Sequence, residues 1–294
     1  MFIDVNGAEL YYERLGDPDD PTILSLHGGP GISDHAKGKE AFEPLTNEYE
    51  LVVYDHRGCG RSELAEPFSN EQYAQDAETL RQKLGLGEIV IIGGSYGGFI
   101  TQEYVTMDPT NVRGIVLRDT AASSTHDEQA REIARSRFPK MKAADVDVPD
   151  ITWEEFERVM DGRVRSDAEF KRIFHGMSPL YSPSLDEFDA EAAREATEAR
   201  NFHHKTHNTM FTGSYPEMDY TDDLPRVEVP ALVTVGRHDW ITPPDASKQI
   251  ADLIPNSRLV IFESSGHSPN LDQQEDFISR TREFLSEIGH GGGS

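Results

Sequence analysis

The stretch Ile89-Val90-Ile91-Ile92-Gly93-Gly94-Ser95-Tyr96-Gly97-Gly98 decides how the rest of the chain is read. Residues 89–92 are unbroken β-formers, the composition of a strand covered on both faces, and a helical pattern over 96–107 follows at once. What lies between is G-x-S-x-G, in the strand-to-helix turn that this motif requires. The turn is sharp enough to force Ser95 into strained backbone geometry. Side chains at Gly93 or Gly97 would collide with the neighbouring strand and helix, so the glycines let the serine hydroxyl stand exposed. Backbone N–H groups at the helix start face any oxyanion formed beside it. A plain Gly-rich turn accounts for the same string, so the partners of Ser95 carry the decision.

Outward from this turn, similar short apolar runs lie at 22–26, 51–54, 112–117, 231–235 and 259–262, and read as strands buried on both faces. Helical patterns over 70–84, 96–107, 244–253 and 272–288 alternate with them, the first with Asn70 as its expected N-cap. Strand and helix in alternation give an α/β protein with a mostly parallel sheet flanked by helices. Residues 2–5 and 9–15, joined at Asn6-Gly7, read as an opening β-hairpin. Between 122 and 223 the alternation fails and charged helical stretches take over, at 153–160, 167–174 and 186–199. The expected organisation is a core of 1–121 and 224–288, split by a helical cap insertion over 122–223, with 289–294 a flexible tail or cloning scar.

A serine hydroxyl is a weak nucleophile until a base takes its proton, so a histidine and an orienting carboxylate are expected at later strand ends. Asp239 follows the run 231–235, and His267 follows the run 259–262 through Ser264-Ser265-Gly266. Asp119, also at a strand end, is the rival acid and His238 the rival base; both fit that placement less well. The order Ser95, Asp239, His267 is that of the Ser, acid, His triads of α/β-hydrolases. His27-Gly28-Gly29-Pro30-Gly31, directly after the first parallel strand, lets backbone approach a substrate closely. The backbone N–H groups of Gly29 and Tyr96 are the expected oxyanion donors, with Gly28 beside them. The block Asp55-His56-Arg57-Gly58-Cys59-Gly60-Arg61-Ser62 is read as structural, fixing a loop through Arg57 and its glycines.

Taken together, HGGPG, D-H-R-G-C-G-R-S, GGSYGG, G-R-H-D and S-G-H resemble the proline iminopeptidase family of α/β-hydrolases, over essentially the whole chain outside the expected cap. The resemblance implies a serine peptidase-like mechanism without metal or cofactor, on a small-molecule or short peptide substrate. It also implies acidic residues that hold the substrate's free amine, one from the cap and, in some members, one directly after the catalytic aspartate. Here the residue after Asp239 is Trp240, and the corresponding cap stretch offers Met210. An unpaired ammonium in a partly desolvated pocket is costly, so an aminopeptidase needs a replacement anion, for which Glu217 or Asp219 is placed. Without one, Trp240, Met210, Phe211 and Tyr96 would form an apolar, aromatic pocket for a neutral acyl ester or lactone. The three readings are release of an N-terminal proline or similar residue, a carboxylesterase or lactonase, and a non-catalytic ligand receptor on the same fold.

Composition bounds these readings. The 294 residues carry 28 Lys and Arg against 53 Asp and Glu, a formal net charge of −25, which disfavours nucleic acid and anionic membrane surfaces as partners. An acidic surface with arginine outnumbering lysine is expected of a protein adapted to high salt. No apolar run approaches the roughly 20 residues of a bilayer-spanning helix. Met1-Phe2-Ile3-Asp4 is acidic where a secretory signal is basic, and the single cysteine, Cys59, fits a reducing compartment, so a cytoplasmic location is expected. His203, His204 and His207 lack carboxylate or cysteine partners for a metal and read as a solvated cap helix. Acidic clusters at Asp17-Asp19-Asp20, Asp145-Asp147 and Glu187-Asp189-Glu191 read as solvated surface.

Overall fold

Eight strands form one sheet in the order β1-β2-β4-β3-β5-β6-β7-β8 in the computed structural model, which describes residues 1–144 and 146–290. The hairpin of β1 (Phe2–Val5) and β2 (Ala8–Leu15) turns at Asn6 and Gly7, both at positive φ, and pairs Val5 with Ala8. Strands β3 (Thr22–Leu26), β4 (Glu50–Tyr54), β5 (Ile89–Gly94), β6 (Val112–Arg118), β7 (Ala231–Gly236) and β8 (Ser257–Phe262) run parallel to one another. The runs read as doubly buried are so for β3, β4, β5 and β7. In β6 burial is confined to Gly114–Leu117, and β8, which closes the sheet, is half-buried along most of its length, because an edge strand has a neighbour on one side only.

Side-chain alternation along β5 feeds two cores. Ile89 and Ile91 pack with Leu24, Leu117 and Val233 on one face, and Val90 and Ile92 pack with Ile23, Val53 and Leu232 on the other. Each fully buried Ile or Leu contributes about 1.5–3 kcal/mol relative to exposure. The second face is covered by α1 (His35–Phe42) and by the C-terminal helix Gln274–His290, through Phe42, Phe277 and Phe284. Helices α2 (Asn70–Lys83) and α3 (Tyr96–Met107) cover the first. Ser69, not Asn70, caps α2: its hydroxyl accepts from the Gln72 N–H, while Asn70 is buried and bonded to Tyr96 and Tyr220. Arg57 is buried as well, paired with Asp76 and bonded to backbone carbonyls near Asn6, the loop-fixing part expected of it.

Between β6 and β7 the chain builds helices α4 (Asp127–Ala143), α5 (Trp153–Met160), α6 (Asp167–Met177), α7 (Ala190–Glu198), α8 (His204–Thr212) and α9 (Ser214–Glu217), with no strand among the described residues. An isolated antiparallel bridge between Ser123 and Asp219 joins its two ends. The insertion has an apolar centre of its own, with Phe156, Phe170, Ile173 and Met177. Capping residues set its helix starts: Thr152 and Glu155 form a reciprocal capping box on α5, and Ser166 and Asp189 cap α6 and α7. After β7 come α10 (Pro244–Leu253), the short α11 (Pro269–Asp272) and α12 (Gln274–His290). The helical pattern expected over 272–288 is therefore broken at Gln273, and Gly289 and His290, expected to open the tail, end α12 instead. Residues 291–294 and Asp145 of the acidic cluster lie outside the described residues.

Candidate active site

The register of the parallel strands brings five loops side by side. Leu26 pairs with Gly93, Gly94 with Arg118, Arg118 with Thr234, and Gly236 with Phe262, so β3, β5, β6, β7 and β8 end at one edge of the sheet. Gly28, Ser95, Asp119, Asp239 and His267 all follow those ends, where α/β sheets bind ligands.

Ser95 sits at φ 55° and ψ −121°, before the first turn of α3, and its N–H donates to the Arg118 carbonyl at 2.8 Å. The flanking glycines are required by contact. A Cβ on Gly97 would lie 2.1 Å from the Leu26 carbonyl oxygen, and one on Gly93 would lie 2.3 Å from that of Gly97. The Gly28-Gly29 turn lies against the same elbow: a Cβ on Gly28 would meet the Ser95 Cβ at 2.9 Å and the Tyr96 backbone nitrogen at 3.4 Å. Gly29 itself has φ 46°, a conformation open to glycine.

His267 Nδ1 and Asp239 Oδ2 are 2.8 Å apart. The other oxygen of Asp239 accepts the N–H groups of Ile241 and Thr242, at 3.0 and 3.2 Å, and the Thr242 hydroxyl donates to Oδ2 at 2.7 Å. Burial works against the charge on Asp239, and the His267 charge with these donors more than offsets it, holding the carboxyl below its ordinary value. Burial likewise opposes protonation of His267, and the Asp239 carboxylate outweighs it, so the imidazole is raised above its ordinary value. Thr242 was not singled out in the sequence, although its place three residues after Asp239 is the spacing at which a side chain reaches back to a turn carboxylate.

Of the two rivals, Asp119 is inside and His238 is outside. Asp119, at φ 48°, accepts the Gly236 N–H at 3.0 Å and the Arg118 guanidinium at 2.9 Å. Burial pushes its carboxyl up to about 7, with Arg118 opposing and Asp239 reinforcing the shift. Asp119, Asp239 and His267 have ligand atoms within 4.8 Å of one another, and the hydrogen bond to the imidazole is made by Asp239. His238 is exposed, with its carbonyl bonded to Arg137.

A cavity of about 460 Å³ opens between the sheet edge and the insertion, and Gly28, Gly29, Ser95, Tyr96, Phe211 and His267 all line it. Four other expected pocket residues do not. Trp240 is fully buried in the insertion's apolar centre, with ring centroids 5.6 Å from Phe156 and 5.4 Å from Tyr181. Met210 is fully buried in the main core, and the α8 residues that reach the cavity wall are His207 and Phe211. Glu217 is exposed on α9 and is not part of the lining, and Asp219, which accepts from Thr221, is not either. The apolar wall instead comes from Phe99, Val159, Met160, Phe174, Met177 and Tyr215. The three histidines diverge: His203 reaches the Gly60 carbonyl, His204 pairs with Asp167, and His207 bonds the Val159 carbonyl. His207 departs from the solvated reading, being buried between Phe170 and Phe211 and lowered by that burial to about 4.

Residues 21–274 match the family model for the alpha/beta hydrolase fold. "Proline iminopeptidase PfmaB" of Pestalotiopsis fici is 34% identical over 97% of this chain and 99% of its own, and a proline iminopeptidase of Heyndrickxia coagulans is 25% identical over 98% of each. Among solved structures, a thermophilic esterase from Thermogutta terrifontis, with malate bound, is 25% identical and superposes with a TM-score of 0.71 over 98% of this chain and 99% of its own. The enol-lactonase of Burkholderia xenovorans LB400, 21% identical, shares the fold at a TM-score of 0.77 over 97% of this chain and 100% of its own. With this sheet order, this serine elbow and these relatives, the chain belongs to the α/β-hydrolase fold family, as a proline iminopeptidase-like serine hydrolase.

Proposed function

We propose that the protein transfers an acyl group to water through Ser95, His267 and Asp239, and that its substrate is a carbonyl ester or lactone without a free N-terminal amine. Ser95 Oγ attacks the carbonyl carbon while His267 Nε2 takes its proton. Asp239 fixes the imidazole tautomer and favours its charged form. The backbone N–H groups of Gly29 and Tyr96 stabilise the oxyanion, each donor being worth about 3 kcal/mol in comparable sites. Collapse expels the alcohol, which takes the proton from His267; water then attacks the acyl-enzyme with His267 again as base, releasing the acid and restoring Ser95. The insertion over 122–223 serves as the cap that shapes the acyl pocket.

One observation carries the choice of substrate. Among the described residues, Asp272 is the one carboxylate lining the cavity, and its Oδ2 already accepts from the Ser265 hydroxyl and the Gly266 N–H, each at 2.8 Å. A substrate ammonium would have only the other oxygen of this one exposed residue to pair with, and burying it unpaired is unfavourable by several kcal/mol. The second reading, release of an N-terminal proline or similar residue, is favoured by the relatives of that name.

The test is a paired measurement of kcat/KM on a short-chain aryl ester and a prolyl arylamide, with Ser95→Ala as blank. The expected outcome is ester turnover at least about 100-fold faster than the amide, and its loss in Ser95→Ala. Faster amide cleavage that disappears when the proline nitrogen is acylated would establish the second reading instead.

A further inference from the structure

The ionic lining of the cavity is mostly spoken for, with one exception. Lys37 pairs with Glu40 at 3.0 Å, Arg118 holds Asp119 and the His267 carbonyl, and Asp272 is bonded as described. Arg200, in the loop between α7 and α8, lines the same cavity and has neither an ion pair nor a side-chain hydrogen bond among the described residues. Its Nε is buried without a partner, and its guanidinium lies over the Phe174 ring, 4.9 Å from the centroid. The carboxylates that act on it electrostatically, Asp34 and Glu40, are engaged elsewhere, as the α1 N-cap and the Lys37 partner.

We propose that Arg200 is a specificity residue that binds a carboxylate on the substrate, so that the preferred substrates are esters or lactones carrying a second, anionic carboxylate group. A guanidinium presents its N–H donors in a planar fork that fits the two oxygens of a carboxylate, and it pairs more strongly where solvent is partly excluded. Stacking on Phe174 holds the plane of that fork and keeps its edge free for a ligand. In a chain of net charge −25, an unmatched cation retained in the wall of the reaction cavity marks the place where a negative group belongs.

This proposal rests on the ester reading above, and two measurements separate their failures. The first compares kcat/KM for the 4-nitrophenyl hemi-ester of adipic acid with that for its methyl ester, the neutral counterpart, in wild type, Arg200→Gln and Arg200→Lys, against Ser95→Ala. Wild type is expected to prefer the anionic ester by about 10- to 100-fold, the range of charge-assisted hydrogen bonds. Arg200→Gln should bring that ratio close to one, and Arg200→Lys should restore part of it. Turnover of both esters at equal rates in wild type, or a ratio unmoved by Arg200→Gln, would overturn the proposal and leave the ester reading standing. The second is calorimetric binding of adipate to Ser95→Ala and to Ser95→Ala/Arg200→Gln, which needs no turnover. Binding lost in the double variant supports the carboxylate site even where no ester is hydrolysed, and absence of binding to both overturns it.

Discussion

Ser95 keeps a backbone conformation that a side-chain-bearing residue adopts only at a cost of about 1–3 kcal/mol, held by its N–H bond to Arg118 and by the packing of Gly93 and Gly97. His267, the base proposed for it, is tuned by Asp239. Because neutral imidazole takes the proton, kcat/KM should fall on acidification, with its midpoint above the ordinary imidazole value of about 6.5, since the Asp239 charge raises His267 against the effect of burial. Asp239→Asn should move that midpoint down and lower kcat by about 10,000-fold; a pH–rate profile of both proteins checks the shift. An unchanged midpoint in the variant would mean that another group, with Asp119 the first candidate, sets the titration. These three residues were legible in the sequence because each follows its strand within a few residues. Trp240 was not, although it adjoins Asp239. Which way a side chain leaves a turn is decided by what packs over it, and here Phe156 and Tyr181 come from a distant part of the chain. Arg200 was invisible for the same reason, since a lack of partners is a property of the folded cavity.

At the level of elements, α3 and β3 touch through Gly97 and the Leu26 carbonyl, so the elbow depends on their close approach. Gly97→Ala forces a backbone shift there and should lower unfolding free energy by about 1–3 kcal/mol, the usual cost of overpacking, with kcat falling as Ser95 is displaced. Urea unfolding together with ester turnover measures both; an alanine variant as stable and active as wild type would show that the two elements have room to separate. The core strands were readable because doubly buried parallel strands leave near-continuous apolar runs. The edge position of β8 was not, since Leu259, Val260 and Ile261 look the same whether one or both sides are covered. Within the insertion, α5 and α6 follow the expected helical stretches, and α7 falls inside the third. The path of α8, which brings His207 and Phe211 to the cavity while Met210 faces the core, depends on tertiary contacts that no periodicity records.

Across the whole molecule, 53 acidic side chains against 28 basic ones mean self-repulsion that salt relieves. Raising ionic strength from about 0.01 to about 1 M shortens the Debye length from about 30 to about 3 Å, while the exposed ion pairs it weakens, such as Arg226 with Asp223, are each worth at most about 1 kcal/mol. The thermal midpoint should therefore climb with potassium chloride concentration, and a midpoint that falls would show that ion pairs outweigh the net charge. At the same scale, the sheet edge and the insertion enclose one cavity lined by Ser95 and His267, and the proposed activity requires that serine to be a working nucleophile. The most direct measurement is mass-spectrometric mapping of the intact chain after treatment with a fluorophosphonate. One equivalent per chain on the peptide containing Ser95, lost in Ser95→Ala and much slower in His267→Ala, is the predicted result; no labelling, or labelling elsewhere with Ser95 untouched, would contradict the account and favour a ligand receptor on a hydrolase fold.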